Sequence, residues 1–379
     1  LGIIWNRMPE VYPILGQQIV PQEAAIRNLY VHVPFCTHIC PYCSFYKIRN
    51  LTASMSPFLP ALEQEIEFIC EHLPIEPETV FFGGGTPSAL SVSQLEALSR
   101  FWPWKSVNEF TIEANPMTIS ERKAECLREL GVNRISLGVQ AFDEQSLQLL
   151  GRTHRAPDVR KTVRRLRASG FENISIDLMF ALPGQSVATW KDSLEHALAL
   201  EPEHVSLYEL TYEEDTEFLK RLESGDLKQE ATGQEMHEWA IETLAAHGFS
   251  HYEVSNFALP GREARHNQAC WAGEDYVGLG PSACSTVGLH RWKTVPDIHA
   301  YGNDPLVREW EHLDSALQQQ ERIMLGLRTS SGIDKDWIHG KDDFLAELEK
   351  QGLLEKSQHR IILNSRGRLV ADSITEELI

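Results

Sequence analysis

Three cysteines, Cys36, Cys40 and Cys43, stand within eight residues in the run Tyr30-Val-His-Val-Pro-Phe-Cys-Thr-His-Ile-Cys-Pro-Tyr-Cys. Thiols packed so closely can hold metal: an iron-sulfur cube takes four thiolates, and a structural zinc ion takes four Cys or His ligands. Only three are local. Without a fourth ligand from elsewhere, a cluster on this loop keeps one iron open to a small molecule, an arrangement for catalysis rather than for storing electrons. Two plainer readings compete: small apolar cysteines sharing a core, and a zinc site completed by His32 or His38. The strand-like run Leu29 to Pro34 before the loop and the aromatics at its end favour a built site over chance clustering. Seven cysteines are an odd count and no charged, apolar leader precedes them, so reduced thiols and a cytoplasmic location are expected.

Further along the chain, Gly83-Gly84-Gly85-Thr86-Pro87 could bring backbone amides close to a ligand, with Thr86 adding a hydroxyl; a tight strand-to-helix turn is the plainer reading. Glu113, Gln140 and Asp177 each end a strand-like run. A carboxylate there suits a ribose hydroxyl or an ammonium group, and a glutamine can bridge either. Any one of them alone could cap the following helix; three at one mouth are harder to explain that way. Arg152, in Leu-Gly-Arg-Thr-His, is a candidate carboxylate clamp, or else an ordinary helix-end charge.

These residues must be positioned by repeated βα units. From Leu29 to about Leu210, short apolar runs alternate with helical patterns. Strands are expected at Leu29 to Val33, Thr79 to Phe82, Glu109 to Glu113, Arg134 to Val139, Ile174 to Met179 and His204 to Tyr208. Helices are expected at Pro57 to His72, Val92 to Arg100, Ser120 to Leu130, Ala156 to Ser169 and Val187 to Leu200. The polar motifs fall at the C-terminal ends of the strands, where parallel α/β folds place their sites. The fold class is therefore α/β, a partial (β/α)6 barrel of the triose-phosphate-isomerase type over residues 29–212.

Residues 1–28 carry three prolines without a sustained period and read as an N-terminal extension or loose arm. After Tyr212 the rhythm breaks. Residues 213–304 read as a linking, barrel-completing region: an acidic stretch, a helix from Gly233 to His247, then a Gly-rich, aromatic stretch. Residues 305–379 read as a small winged-helix-like α+β unit, with helices near Ala316 to Leu327, Asp334 to Trp337 and Lys341 to Gln351. A hairpin is expected to follow, from Arg360 to Ala371. A net charge of −19 would repel a phosphate backbone, so no nucleic-acid partner is expected. The basic run Arg160 to Arg167 reads as a solvated helix face. No run of roughly 18 apolar residues marks an integral membrane segment. Cys70 and Cys126 read as core positions on helices.

The cysteine spacing, three residues and then two, resembles that of radical S-adenosylmethionine (SAM) proteins, whose open iron chelates the amino and carboxylate groups of SAM. The resemblance narrows on seven stretches taken in order: Tyr30 to Cys43, Gly83 to Pro87, Ile112 to Pro116, Ser136 to Phe142, Gly151 to His154, Asp177 to Gln185 and Gly278 to Ala283. Together they look like the family of oxygen-independent coproporphyrinogen III dehydrogenase and its haem-chaperone branch, HemW, from about Asn28 to the end of the chain. The resemblance implies a radical SAM barrel with a 4Fe-4S cluster on Cys36, Cys40 and Cys43. It implies SAM contacts from Tyr30, Tyr42, Gly84, Gly85, Thr86, Glu113, Gln140, Arg152 and Asp177, to which Thr211 and Cys284 are added.

Two places separate the branches. The dehydrogenase carries a further cysteine two residues past the third; here Ser44 and Phe45 follow Cys43. The chaperone branch carries a His-Asn-x-x-Tyr-Trp motif associated with haem; the match is His266-Asn267-Gln268-Ala269-Cys270-Trp271, with Cys270 in place of tyrosine. His266 could offer an imidazole to haem iron, or be a hydrogen-bonded structural residue. Cys270 reads as a small core residue, and His32 as a supporting one. The reading is thus a haem chaperone with a 4Fe-4S cluster, SAM, haem as cargo, haem-accepting apoproteins as partners and a homodimer left open. The alternative is an enzyme, coproporphyrinogen III dehydrogenase, acting by radical decarboxylation. A radical SAM enzyme for another substrate is a third reading.

Overall fold

The computed structural model describes residues 11–12, 24–49, 55–228, 232–355 and 357–379. Six βα units open the fold. Their strands are β1 (Ile26–Val33), β2 (Ile75–Gly84), β3 (Glu109–Ala114), β4 (Arg134–Gln140), β5 (Ile174–Phe180) and β6 (His204–Glu209). Between them run α1 (Phe58–His72), α2 (Val92–Phe101), α3 (Glu121–Leu130), α4 (Ala156–Ala168) and α5 (Val187–Leu198). All five neighbouring strand pairs are parallel, and they form the centre of a 13-stranded sheet.

Period-two alternation explains the two faces of these strands. Val31, Phe82, Ile112, Leu137, Ile176 and Leu207 are fully buried in the main core under the helices. Their neighbours Tyr30, Phe81, Glu113, Ser136, Asp177 and Ser206 point the other way, toward the concave interior. Side-chain caps start the helices: Ser91, Ser120 and Ser186 each accept a backbone N–H in the first turn of α2, α3 and α5. On α1 the buried face is Phe58, Ala61, Leu62, Glu65, Ile66 and Ile69. Cys70 lies one residue round from that face and is exposed, contrary to its expected core position, whereas Cys126 is buried.

The region after Tyr212 extends both edges of this sheet. On one side, after α6 (Gly233–Ala246), β7 (Ser250–Glu253) and β8 (Asn256–Ala258) pair antiparallel beyond β6. On the other, the short helix α7 (Arg265–Trp271) leads to β9 (Tyr276–Leu279), which is parallel to β1. Then β10 (Cys284–Val287), β11 (His290–Thr294) and β12 (Arg308–His312) follow antiparallel. Glu65 of α1 ties this later edge down. Wholly buried, it accepts from Arg308 at 2.9 Å, from the Tyr301 hydroxyl at 2.9 Å and from the Gly280 N–H at 2.7 Å. A buried charge so fully hydrogen-bonded specifies one arrangement.

Two expected boundaries move. Ile26 to Asn28, assigned to the N-terminal extension, belong to β1, and Val11–Tyr12 pair with Arg308 and Glu309 of β12. The rest of that extension, residues 1–10 and 13–23, lies outside the described residues. The segment 308–312, assigned to the C-terminal unit, is a strand of the large sheet.

A separate core, Ile323 to Leu378, defines the C-terminal unit. It contains α8 (Ser315–Leu327), β13 (Ile333–Asp334), α9 (Asp342–Lys350), β14 (Arg360–Ile361), α10 (Ser365–Arg368) and α11 (Ala371–Leu378). The expected hairpin does not form over Arg360 to Ala371. Asn364 accepts the N–H groups of Arg366 and Gly367, so its side chain starts a helix where a turn was expected. Instead β14 pairs with β13, and Leu354 bridges Leu363. No helix of the described residues is long and apolar enough to cross a membrane.

Candidate functional site

The cysteine loop sits at the mouth of the barrel, beyond the C-terminal ends of the strands. Its base is closed by a short parallel pairing of Phe35–Cys36 with Ile48–Arg49 and by the Ile48 N–H on the Pro34 carbonyl at 2.8 Å. Cys36 is buried; Cys40 and Cys43 are half-buried. Two donors from other elements reach the sulfurs. The Thr86 hydroxyl lies 3.6 Å from Cys36 Sγ, and Arg152 Nη1 lies 3.6 Å from Cys40 Sγ. Lys47 donates to the Cys43 carbonyl. Burial pushes the Cys36 thiol up to about 11, against the pull of the Thr86 hydroxyl, and burial also raises Cys43. Binding a metal group therefore displaces protons from these thiols.

The segment after Tyr212 supports this loop. The Phe218 N–H donates to the Pro41 carbonyl at 3.2 Å, and the Tyr42 ring packs 6.1 Å from the Phe218 ring. The acidic stretch thus contains a buttress, the helix Glu217–Glu223. Gly151, at φ 65°, lets the following loop approach Pro41, whose Cδ would lie 3.0 Å from a Cβ there.

The glycine run is a cradle rather than only a turn. A Cβ on Gly83 would lie 3.1 Å from the Tyr30 ring and 3.2 Å from Glu113 Oε1. On Gly84, at φ 104°, it would lie 2.5 Å from the His32 ring, and on Gly85 2.6 Å from the Pro34 carbonyl carbon. The N–H groups of Gly85 and Thr86 bond to Val33 and Phe35 at 2.9 and 2.8 Å, binding the cradle to the root of the cysteine loop. His32 is locked behind it. Its Nε2–H donates to the Tyr46 carbonyl at 2.8 Å, so Nδ1 accepts from the Tyr30 hydroxyl at 3.0 Å. Burial lowers its pKa to about 4 and keeps it neutral.

Glu113 and Asp177 face each other across the interior. Burial, then the charge of Asp177, raises Glu113 to about 8, with the Gly84 N–H acting in the opposite sense. Asp177 is raised by burial but held down by hydroxyls: Ser136 at 2.9 and 3.1 Å and Ser175 at 3.1 Å. Gln140 ends β4 at φ 71°, a costly conformation for a residue with a side chain, beside a register shift between Gly138 and Gln140. Gly138 leaves room for this: a Cβ there would lie 3.0 Å from Gln140 Nε2 and 3.6 Å from Arg152 Nη2. Arg152 joins that strand end to the cysteines through the Gly138 carbonyl, and its buried Nε has no partner among the described residues.

Most sequence candidates therefore meet at one mouth. Cys284, on β10, is half-buried and within electrostatic reach of Tyr30. Thr211 lies past the end of β6, exposed, with its hydroxyl on Glu213 at 2.9 Å. Sequence reasoning missed Ser136, Ser175 and the bracing roles of Lys47 and Phe218. The serines share the interior-facing alternation of Asp177, which was the available signal.

The donor set fits a multi-iron cluster with an adjoining zwitterionic ligand. The three thiols stand on one short loop, close enough to influence one another, although no three His, Cys, Asp or Glu side chains of the described residues are drawn together as a bound metal would hold them. The glycine cradle, the Glu113 carboxyl and the unpartnered Arg152 Nε supply an open backbone, a partner for an ammonium and a partner for a carboxylate.

His266 lies at the other end of the barrel. On α7 it is buried against the starts of β1, β2 and β3. The Thr79 hydroxyl donates to Asn28 Oδ1 at 2.9 Å, so His266 Nδ1–H donates to Thr79 at 2.9 Å. Nε2 then faces the Cys270 sulfur at 3.8 Å. Glu109 accepts the N–H groups of Arg265 and His266, both at 3.0 Å, and the imidazole stacks on Phe81. Burial lowers His266 to about 3. Thr79 precedes Gly84 by five strand residues, or about 16 Å, so the cysteine loop and this motif occupy opposite ends.

Comparison with known proteins places the chain. The radical SAM superfamily matches residues 30–197. The chain is 37% identical to the haem chaperone HemW of Lactococcus lactis, over 93% of this chain and 97% of that protein. It is 36% identical to HemW of Bacillus subtilis, over 92% and 98%. It is also 37% identical to the mitochondrial radical S-adenosyl methionine domain-containing protein 1 of Danio rerio, over 99% and 92%. In structure it resembles the coproporphyrinogen III oxidase HemN of Escherichia coli, a radical SAM enzyme. The TM-score is 0.79 at 23% identity, covering 93% and 89% of the two chains, a likeness of fold.

Proposed function

Because this chain belongs to the radical SAM superfamily, in the family of the haem chaperone HemW, we propose that it is a haem chaperone that carries a 4Fe-4S cluster and SAM. Cys36, Cys40 and Cys43 hold the cluster, which supplies an open iron for SAM. Gly84, Gly85 and Thr86 receive the methionyl end, Glu113 takes its ammonium and Arg152 its carboxylate, while Tyr30, Tyr42, Gln140 and Asp177 line the rest of the pocket. Thr211 and Cys284 lie at its rim. The neutral His32 keeps the Tyr30 hydroxyl oriented, and the Phe218 helix holds the loop. The cargo is haem, the recipients are haem-accepting apoproteins, and the chaperone works in the cytoplasm.

One observation carries the choice over coproporphyrinogen III dehydrogenase. Two residues past Cys43, where the dehydrogenase branch has a further cysteine, stands Phe45, with 67% of its surface exposed. His266, which the sequence left open between a haem ligand and a structural residue, takes the structural role, with Nδ1–H on Thr79 and Nε2 toward the Cys270 sulfur. Anaerobic reconstitution tests the reading, with haem binding and turnover of coproporphyrinogen III, given SAM and reductant, measured on one sample. Stable haem uptake without protoporphyrinogen formation is expected. Protoporphyrinogen produced at turnover rates contradicts the chaperone reading.

A further inference from the structure

The outer face of α7, away from the barrel, borders a cleft of about 150 Å3. Gln268 and Trp271 line it from α7; Arg322, Thr329, Trp337 and Arg360 line it from the C-terminal side. Although the whole chain carries a net charge of −19, none of the described residues lining this cleft is acidic.

Arg322 is the unusual member. Its stem packs on Gly273, where a Cβ would lie 3.0 Å from Arg322 Cγ. Its guanidinium has no ion-pair or hydrogen-bond partner among the described residues, and its Nε is enclosed. An enclosed N–H without a partner is destabilising, and a free guanidinium fork matches a carboxylate. Arg360 is fixed beside it, donating from Nε to Ser331 at 2.7 Å and from Nη2 to Gly332 at 2.8 Å, with Nη1 left over. Trp337 is 38% exposed at the cleft, and an indole there offers a flat apolar face to a planar ring.

We propose that this cleft receives the carboxylate arm of a planar aromatic ligand, with the carboxylate on Arg322 and Arg360 and the ring edge against Trp271 and Trp337. Resting on the function proposed above, that ligand is haem, and the arm is one of its propionates. The volume falls below the roughly 300 Å3 at which sites begin to enclose whole ligands. One arm enters, therefore, and the macrocycle lies across the opening, on the face of α7 opposite His266.

Haemin and its uncharged dimethyl ester, each titrated by tryptophan quenching and Soret absorbance, test this. Arg322→Gln should weaken haemin about tenfold, the loss of one charge-assisted pair, and leave the ester unchanged. Arg322→Lys, which keeps the charge without the fork, should fall between. Unchanged thermal unfolding of both variants shows that the fold is intact. Equal haemin affinity in the unaltered protein and both variants overturns this site and leaves the chaperone reading standing. An unaltered protein that takes up no haemin overturns both.

Discussion

The two ends of the barrel are finished to different degrees. At the base, Glu109 accepts two N–H groups, Thr79 joins Asn28 to His266, and Asn28 also bonds Glu274 and the Asp275 carbonyl. At the mouth, Arg152 keeps a buried unpartnered Nε, Glu113 is raised to about 8, Gln140 is held at φ 71° and three thiols share one loop without bonding one another. Unpartnered buried atoms are not confined to the mouth, since Arg134 Nε at the start of β4 is another; the mouth alone combines one with a raised carboxyl, a strained glutamine and a cluster of thiols, the marks of a site that a ligand completes. The same contrast holds within the haem-associated region: the inner face of α7 is satisfied, and the unpartnered guanidinium stands on its outer face.

Substitutions at the two ends should fail in different ways. The largest effect is expected at the mouth. Cys36→Ala should abolish the visible iron-sulfur absorbance after anaerobic reconstitution while the far-ultraviolet dichroism stays native, because a cluster ligand is lost and the fold is not; an unchanged spectrum removes Cys36 from the ligand set. Gly85→Ala should destabilise by about 2–3 kcal/mol in denaturant unfolding, since its Cβ meets backbone that cannot swing aside. At the base, Thr79→Val leaves His266 Nδ1–H and Asn28 Oδ1 unpaired and should cost about 1–3 kcal/mol with the cluster spectrum intact.

A pH effect also belongs to the mouth. In the folded protein Glu113 keeps its proton from about 4.5, its ordinary value, up to about 8. Within that window the folded state binds more protons than the unfolded one, so stability falls as pH rises and levels off above about 8. Asp177, also raised by burial, acts in the same direction, so the diagnostic quantity is the shallower slope of Glu113→Gln relative to the unaltered protein. Identical slopes would remove Glu113 from this account. The smallest effect is expected at Cys270→Ala, about 1 kcal/mol or less, because a thiol is a weak hydrogen-bond donor.

Much of this was legible in the residues, and the rest was hidden for physical reasons. The six parallel strands and the helices between them were readable because apolar runs and 3.6-residue periods alternate cleanly there. Beyond Tyr212 the strands shorten to two to five residues and, apart from β9 alongside β1, pair antiparallel, too short for a period to show. The C-terminal hairpin was misplaced because Asn364 can serve a turn or a helix cap, and its bonds to Arg366 and Gly367 decide for the cap. The mouth residues were found by type and spacing. Their bracing, the Ser136 and Ser175 hydroxyls on Asp177 and Phe218 under the cysteine loop, depends on contacts between segments far apart in sequence. That His266 sits opposite the cysteine loop is likewise a fact of topology, set by α7 packing under the starts of β1 to β3.

The central claim is that SAM and haem occupy opposite ends of one barrel. It is tested most directly by titrating haemin into the reconstituted protein with and without saturating SAM. The account predicts the same haemin affinity, within about twofold, and both ligands bound at once. Displacement of one by the other would place them at a single mouth and contradict it.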